Sequence, residues 1–198
     1  MKEYTVKTIV GIDEAGRGPL AGPVAVGLFA LPVTKPKHKE LATVVKLLET
    51  QDIDRPWKDS KQLNEQVREH IYNLLCFLRK NDLLEFTVAM SMPVTIDRIG
   101  IVAAITNAMR RGLQRLNLEP TSTHLFLDGS LKAPESFPNH TTLIKGDERE
   151  LCIALASIVA KVERDRYMIR KAKVFPQYHF DKNKGYGTRS HCTAIKKY

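Results

Sequence analysis

Two adjacent acids, Asp13 and Glu14, end an apolar run, Thr8-Ile-Val-Gly-Ile12, and a Gly/Pro-rich stretch containing Arg17 follows at once, through Pro23. Neighbouring carboxylates raise each other's pKa, and desolvation adds to the cost of burying them. A strand that delivers both into a glycine-rich turn points to a cation-binding site. The plainer alternative is an exposed strand end with a tight turn.

Two further acids stand in similar settings. Asp128 ends the apolar run His124-Leu-Phe-Leu and precedes Gly129. Asp147 follows Leu143-Ile-Lys-Gly146, just ahead of a helical stretch. Taken singly, the first reads equally well as a turn and the second as an acid favoured by a helix N-terminus. Together, three strand ends would deliver four carboxylates beyond the carboxyl edge of a sheet, where functional groups of open α/β folds gather. An oxygen-rich set suits Mg²⁺ or Mn²⁺ better than zinc. Two such ions roughly 4 Å apart would activate a water, stabilise a leaving oxygen and neutralise charge on a phosphodiester. None of the six histidines forms an i, i+4 pair or an H-E-x-x-H motif, so a histidine-based metal site is not expected.

Elements must carry these acids. Residues 4–13 and 22–31 read as β-runs joined by the Gly/Pro turn, which predicts an antiparallel pair. Residues 32–62 look irregular around Pro32, Pro36 and Pro56, with a helical piece near 38–50. Asn64 is placed to cap a helix over 65–80, and Thr95 one over 96–115. Strands are expected at 84–90, 124–128 and 141–144, and a strongly periodic helix over 149–171. A hairpin followed by alternating helices and strands predicts an α/β fold with a mixed sheet.

The 198 residues and 43% hydrophobic content suit one globular domain. No apolar run approaches the roughly 20 residues of a membrane span, and the first residues lack the apolar core of a signal peptide. Three scattered cysteines argue against a disulfide framework and fit a reducing cytoplasm. Residues 161–198 hold eleven Lys/Arg against three Asp/Glu, so +8 of the net +9 lies there. With aromatic residues interleaved, that bias predicts a polyanion partner rather than a merely solvated tail.

The string Gly11–Pro23 closely resembles the first motif of the ribonuclease HII family, the type 2 ribonucleases H. Asp128 in L-D-G and Asp147 in K-G-D match the same family. So do Asp59-Ser-Lys-Gln-Leu63, Ile96-Asp-Arg-Ile99, Ala156-Ser-Ile-Val-Ala-Lys-Val162 with Arg164-Asp165, and Lys184-Gly-Tyr-Gly-Thr188. The resemblance implies a ribonuclease H-like mixed sheet flanked by helices, with a small helical C-terminal segment. Residues 172–198 would be a basic substrate-binding part of a single catalytic domain.

It further implies a monomeric endonuclease acting on RNA–DNA hybrids and on ribonucleotide-containing duplex DNA, in ribonucleotide and RNA-primer removal. Cleavage would fall 5′ of the ribonucleotide and leave a 3′-hydroxyl and a 5′-phosphate. Asp13, Glu14, Asp128 and Asp147 would be the catalytic, metal-holding set. Gly16, Arg17 and Gly18 would approach the 2′-hydroxyl, since glycine lets backbone come close to a sugar. Tyr186 would stack on the deoxyribose after the ribonucleotide, and Lys61, Lys161, Lys184 and Arg17 would meet phosphates. A ribonuclease HIII-type enzyme and a catalytically silent hybrid-binding module are the competing readings. Arg17 in G-R-G speaks against the first and the four acids against the second. Two positions depart from the family pattern: His179 stands where glycine is usual, and Gly100 where asparagine is common.

Overall fold

The computed structural model describes residues 5–34 and 38–198. The expected start of the first strand at residue 4, and Pro36, lie outside the described residues. Strands β1 (Thr8–Ala15) and β2 (Val24–Pro32) pair antiparallel, with Gly11 opposite Phe29 and Asp13 opposite Gly27. Strand β3 (Glu85–Ser91) extends the sheet antiparallel beyond β2. On the other side β4 (Thr123–Asp128) runs parallel to β1, and β5 (His140–Leu143) parallel to β4. The order β3-β2-β1-β4-β5 is the mixed sheet that the hairpin start and the later alternation predict.

Helices cover both faces. Helix α1 (Lys39–Leu48) precedes α2 (Glu65–Lys80), whose N-cap is Asn64: its side chain accepts from the Val67 N–H. The helix expected over 96–115 is instead two. Helix α3 (Pro93–Ile99) starts at a proline rather than after Thr95, and α4 (Ile101–Leu116) follows a break at Gly100. Gly100 adopts φ 78°, ψ 158°, a conformation essentially restricted to glycine, so the chain turns there rather than continuing the helix. Helix α4 packs on one face of the sheet against Val10, Ile12, Val26, Leu28 and Leu125.

The short α5 (Gly146–Arg149) and the long α6 (Leu151–Val174) replace the single periodic helix expected from 149. Residues 151–160 of α6 are buried all round, so apolar periodicity appears only in its second half. The cause is position: α6 lies between the sheet and α2, within a core that includes Phe29, Leu75, Leu155 and Val159. Gly11 and Gly27 let it lie directly on the strands. A Cβ at Gly27 would stand 2.2 Å from the Ala156 carbonyl oxygen.

The C-terminal segment is helical, as expected, with α7 (Phe180–Asn183) and α8 (Arg189–Lys197) after a turn at 176–178. His179 takes the left-handed conformation, φ 55° and ψ 41°, that favours the glycine usual at this place. A histidine in this region carries a backbone cost that glycine would not. No helix among the described residues is long and apolar enough to cross a membrane.

Candidate active site

Parallel pairing of β1 and β4, with Ile12 opposite Leu127, brings Asp13 and Asp128 out of neighbouring strands at the same edge. Strand β5 returns the chain beside Asp128, and α5 then presents Asp147. The four acids Asp13, Glu14, Asp128 and Asp147 line one cavity of about 200 Å³. Gly16, Arg17, Gly18, Lys61, Lys161 and Tyr186 line the same cavity, along with Ser60 and Ser157. Lys184 is not among its lining residues. Its ammonium instead binds the Asp181 carbonyl and lies 3.8 Å from Glu65.

Each acid already has a partner within the protein. Asp13, only 6% exposed, accepts from the Glu14 N–H at 2.7 Å and from the Ser157 hydroxyl. Glu14 lies 3.0 Å from the Arg17 guanidinium, which also donates to Ser130. Asp128 accepts from the Gly146 N–H at 2.6 Å. Asp147 stands beside Asp59, and two such carboxyls can pair only through a shared proton. Among the described residues no three such side chains are drawn together into a ready cation-holding group. Unscreened carboxylates repel, and here each leans on a local donor instead.

Electrostatics nonetheless favours a cation. Burial, reinforced by Asp128 and Glu14, raises Asp13 well above the ordinary carboxyl range. Burial also raises Glu14, with Arg17 opposing. Burial, with Asp59 and Asp128 beside it, pushes Asp147 up to about 7. For Lys61 burial works against the charge, but Asp59, Asp147 and Asp13 outweigh it and raise the pKa. The oxygen-only donor set and its under-compensated charge fit hard divalent ions.

Several contributors were not assigned roles from sequence. Ser60 Oγ lies 2.8 Å from Ser157 Oγ, so the loop before α2 supports Asp13 through α6. Arg68 donates to the carbonyls of Ser60 and Leu63 and fixes that loop. Asp165 holds the Lys161 ammonium at 2.8 Å, aiming it beside the Tyr186 ring, whose centroid is 5.6 Å away. The sequence signal for Ser60, Ser157 and Asp165 is membership of the D-S-K-Q-L and A-S-I-V-A-K-V-x-R-D stretches, and Arg68 lies outside both.

Gly16, at φ 104°, has no room for a side chain: a Cβ would stand 2.2 Å from Arg164 Nε and 2.6 Å from the Pro23 carbonyl oxygen. At Gly18 a Cβ would meet open space. The turn is therefore pinned at one glycine and open at the other. Tyr186, 40% exposed, is held by its backbone, with the N–H donating to the Asn183 carbonyl at 2.8 Å.

The sequence model of the family described as Ribonuclease HII matches residues 10–198. The Ribonuclease HII of Fusobacterium nucleatum subsp. nucleatum is 41% identical over 192 residues, covering 96% of this chain and 80% of that protein. Among solved structures, ribonuclease H2 from Pyrococcus horikoshii OT3 aligns with TM-score 0.67 at 22% identity, over 95% of this chain and 84% of its own. Bst-RNase HIII in complex with Mn²⁺ aligns with TM-score 0.60 at 16% identity, over 98% and 71%. The structural likenesses establish the fold, which type 2 and type 3 enzymes share, and the sequence match separates the two: this chain belongs to the ribonuclease HII family of ribonuclease H endonucleases.

Proposed function

We propose that this chain, as a single catalytic domain, hydrolyses RNA in RNA–DNA hybrids and cuts 5′ of ribonucleotides embedded in duplex DNA, leaving a 3′-hydroxyl and a 5′-phosphate. The observation that carries the reading is the convergence on one cavity of four carboxylates, the Gly16–Gly18 turn and Tyr186. Asp13, Glu14, Asp128 and Asp147 would hold two divalent ions, Mg²⁺ or Mn²⁺. Such ions supply an activated water and charge neutralisation at the phosphorus.

The chain's own groups do the rest. Backbone at Gly16–Gly18 reaches the 2′-hydroxyl, a group that is both donor and acceptor and so separates RNA from DNA. Tyr186 stacks on the following deoxyribose. Lys61 and Lys161 meet phosphates, while Lys184 braces the Tyr186 loop through Asp181. The partner is the nucleic-acid duplex, met by a monomer in the cytoplasm.

A duplex with one ribonucleotide, incubated with and without Mg²⁺ or Mn²⁺, tests this directly. Metal-dependent cutting 5′ of the ribonucleotide is expected, and duplex binding without any cleavage would leave only the silent hybrid-binding module. Tyr186→Ala should weaken that cleavage relative to a uniform hybrid, and Tyr186→Phe should be milder because it keeps the ring face.

Metal binding should also be visible without substrate. Between about pH 4, where unfolded carboxyls ionise, and about 7, the folded metal-free protein retains a proton on Asp147 that the unfolded chain has released, and Asp13, raised well above the ordinary carboxyl range by burial, acts in the same sense. The metal-free protein therefore loses stability as pH rises through that window. A divalent ion relieves the penalty and must displace protons at low pH. Mg²⁺ or Mn²⁺ should raise the melting temperature more at about pH 8 than at about pH 5. Equal shifts at both would detach the metal from these two acids.

A further inference from the structure

Arg164 on α6 is 1% exposed, and the charge it buries is met by backbone carbonyls. Its Nε donates to the Pro23 carbonyl at 2.9 Å, Nη2 to Ala21 at 3.1 Å and Nη1 to Lys184 at 2.9 Å. The neighbouring Asp165 is engaged with Lys161 and Arg68 instead. A buried charge of this kind is tolerable only when its donors are satisfied, which makes the geometry of the three carbonyls strict.

The acceptors belong to two segments: the turn running from Gly16 to Pro23 and the loop carrying Tyr186. These segments also touch directly, because the Gly185 carbonyl accepts from Leu20 N–H at 2.9 Å and from Ala21 N–H at 3.3 Å. Gly185 has φ 87°, and a Cβ there would stand 2.2 Å from the Ala21 carbonyl oxygen. The guanidinium carbon lies 5.9 Å from the Tyr186 ring centroid, so the fork sits behind the ring.

We propose that Arg164 is a positioning residue for substrate selection: it locks the Tyr186 loop onto the Gly16–Pro23 turn, and so fixes the spacing between the 2′-hydroxyl reader and the deoxyribose reader. This rests on the reading of Tyr186 given above. A planar guanidinium supplies three donors in fixed directions, whereas a lysine ammonium cannot serve all three carbonyls at once. A uniform hybrid presents no deoxyribose after the scissile ribonucleotide, so loss of the lock should weigh on the single-ribonucleotide substrate.

The measurement is the ratio of cleavage of a single-ribonucleotide duplex to that of a uniform RNA–DNA hybrid, each on one enzyme preparation, so that the folded fraction cancels. Arg164→Lys should lower this ratio about tenfold to a hundredfold, the scale of a misplacement near 1 Å. On a Tyr186→Ala background the same substitution should change it less than about twofold, since both act through one contact. Gly185→Ala opens the same seam with Arg164 intact and should lower the ratio as well, which keeps the test decisive if Arg164→Lys does not fold.

An unchanged ratio in Arg164→Lys with both rates equally reduced would make Arg164 a structural residue only, as would an unchanged ratio in Gly185→Ala when Arg164→Lys fails to fold. Multiplying effects in the double variant would place its action elsewhere. An unchanged ratio in Tyr186→Ala alone would overturn the reading of Tyr186 and the lock with it. A lowered ratio there beside an unchanged one in Arg164→Lys would overturn the lock alone.

Discussion

Asp13→Asn is expected to reduce turnover by at least about a thousandfold, equivalent to about 4 kcal/mol of transition-state stabilisation, while duplex binding persists. Asparagine keeps the size of the side chain and an acceptor for the Glu14 N–H and the Ser157 hydroxyl, so the surroundings need not move. What disappears is the charge at the centre of the cluster, beside Asp128, Glu14 and Asp147. The same substitution should leave the metal-free protein at least as stable as the wild type near neutral pH, because an amide avoids the desolvation that raises the Asp13 carboxyl. Turnover with saturating Mn²⁺ and thermal unfolding in chelator give the two readouts. Near-normal turnover would remove Asp13 from the metal-holding set, and gross unfolding would make its loss a structural effect.

Gly11→Ala should damage the fold more than any comparable change at the cavity. A Cβ at Gly11 would stand 2.0 Å from the carbonyl carbon and oxygen of Cys152 and 2.4 Å from the Ile153 nitrogen. These are backbone atoms of α6, so no side-chain rotation relieves the clash. Either β1 or α6 must shift, and overpacking of this kind costs about 3 kcal/mol. The melting temperature should fall by about 6–12 °C for a chain of this size. Activity should fall further than stability alone requires, because α6 also carries Ser157, Lys161 and Arg164. Urea unfolding is the check: a loss under about 0.5 kcal/mol would mean that α6 lifts freely from the sheet.

Local pattern carried much of this protein. The β1–β2 hairpin, the Asn64 cap of α2 and the acids at strand ends follow from alternation, capping chemistry and charge placement, all effects that act over a few residues. The D-E-A-G-R-G string and the motifs after it are enough to indicate the family. Two local readings nevertheless met a stronger competitor. The apolar spacing of residues 96–115 looks like one helix, yet Gly100 breaks it by adopting a backbone conformation open to glycine. The first half of α6 lacks an amphipathic face because core surrounds it on every side.

Only the tertiary structure decided how the acids are supported. Ser60 reaches Ser157 across 97 residues of sequence, and Arg164 reaches Ala21 across 143. Neither contact has a period or a spacing that a short window could detect, since each exists because α6 packs against a loop or turn formed far earlier in the chain. The same packing turned Lys184 toward Asp181 and Glu65 while bringing Lys61 and Lys161 to the cavity. Residue type determined which groups can do chemistry, and close packing of one helix on glycine-bearing strands determined which of them meet.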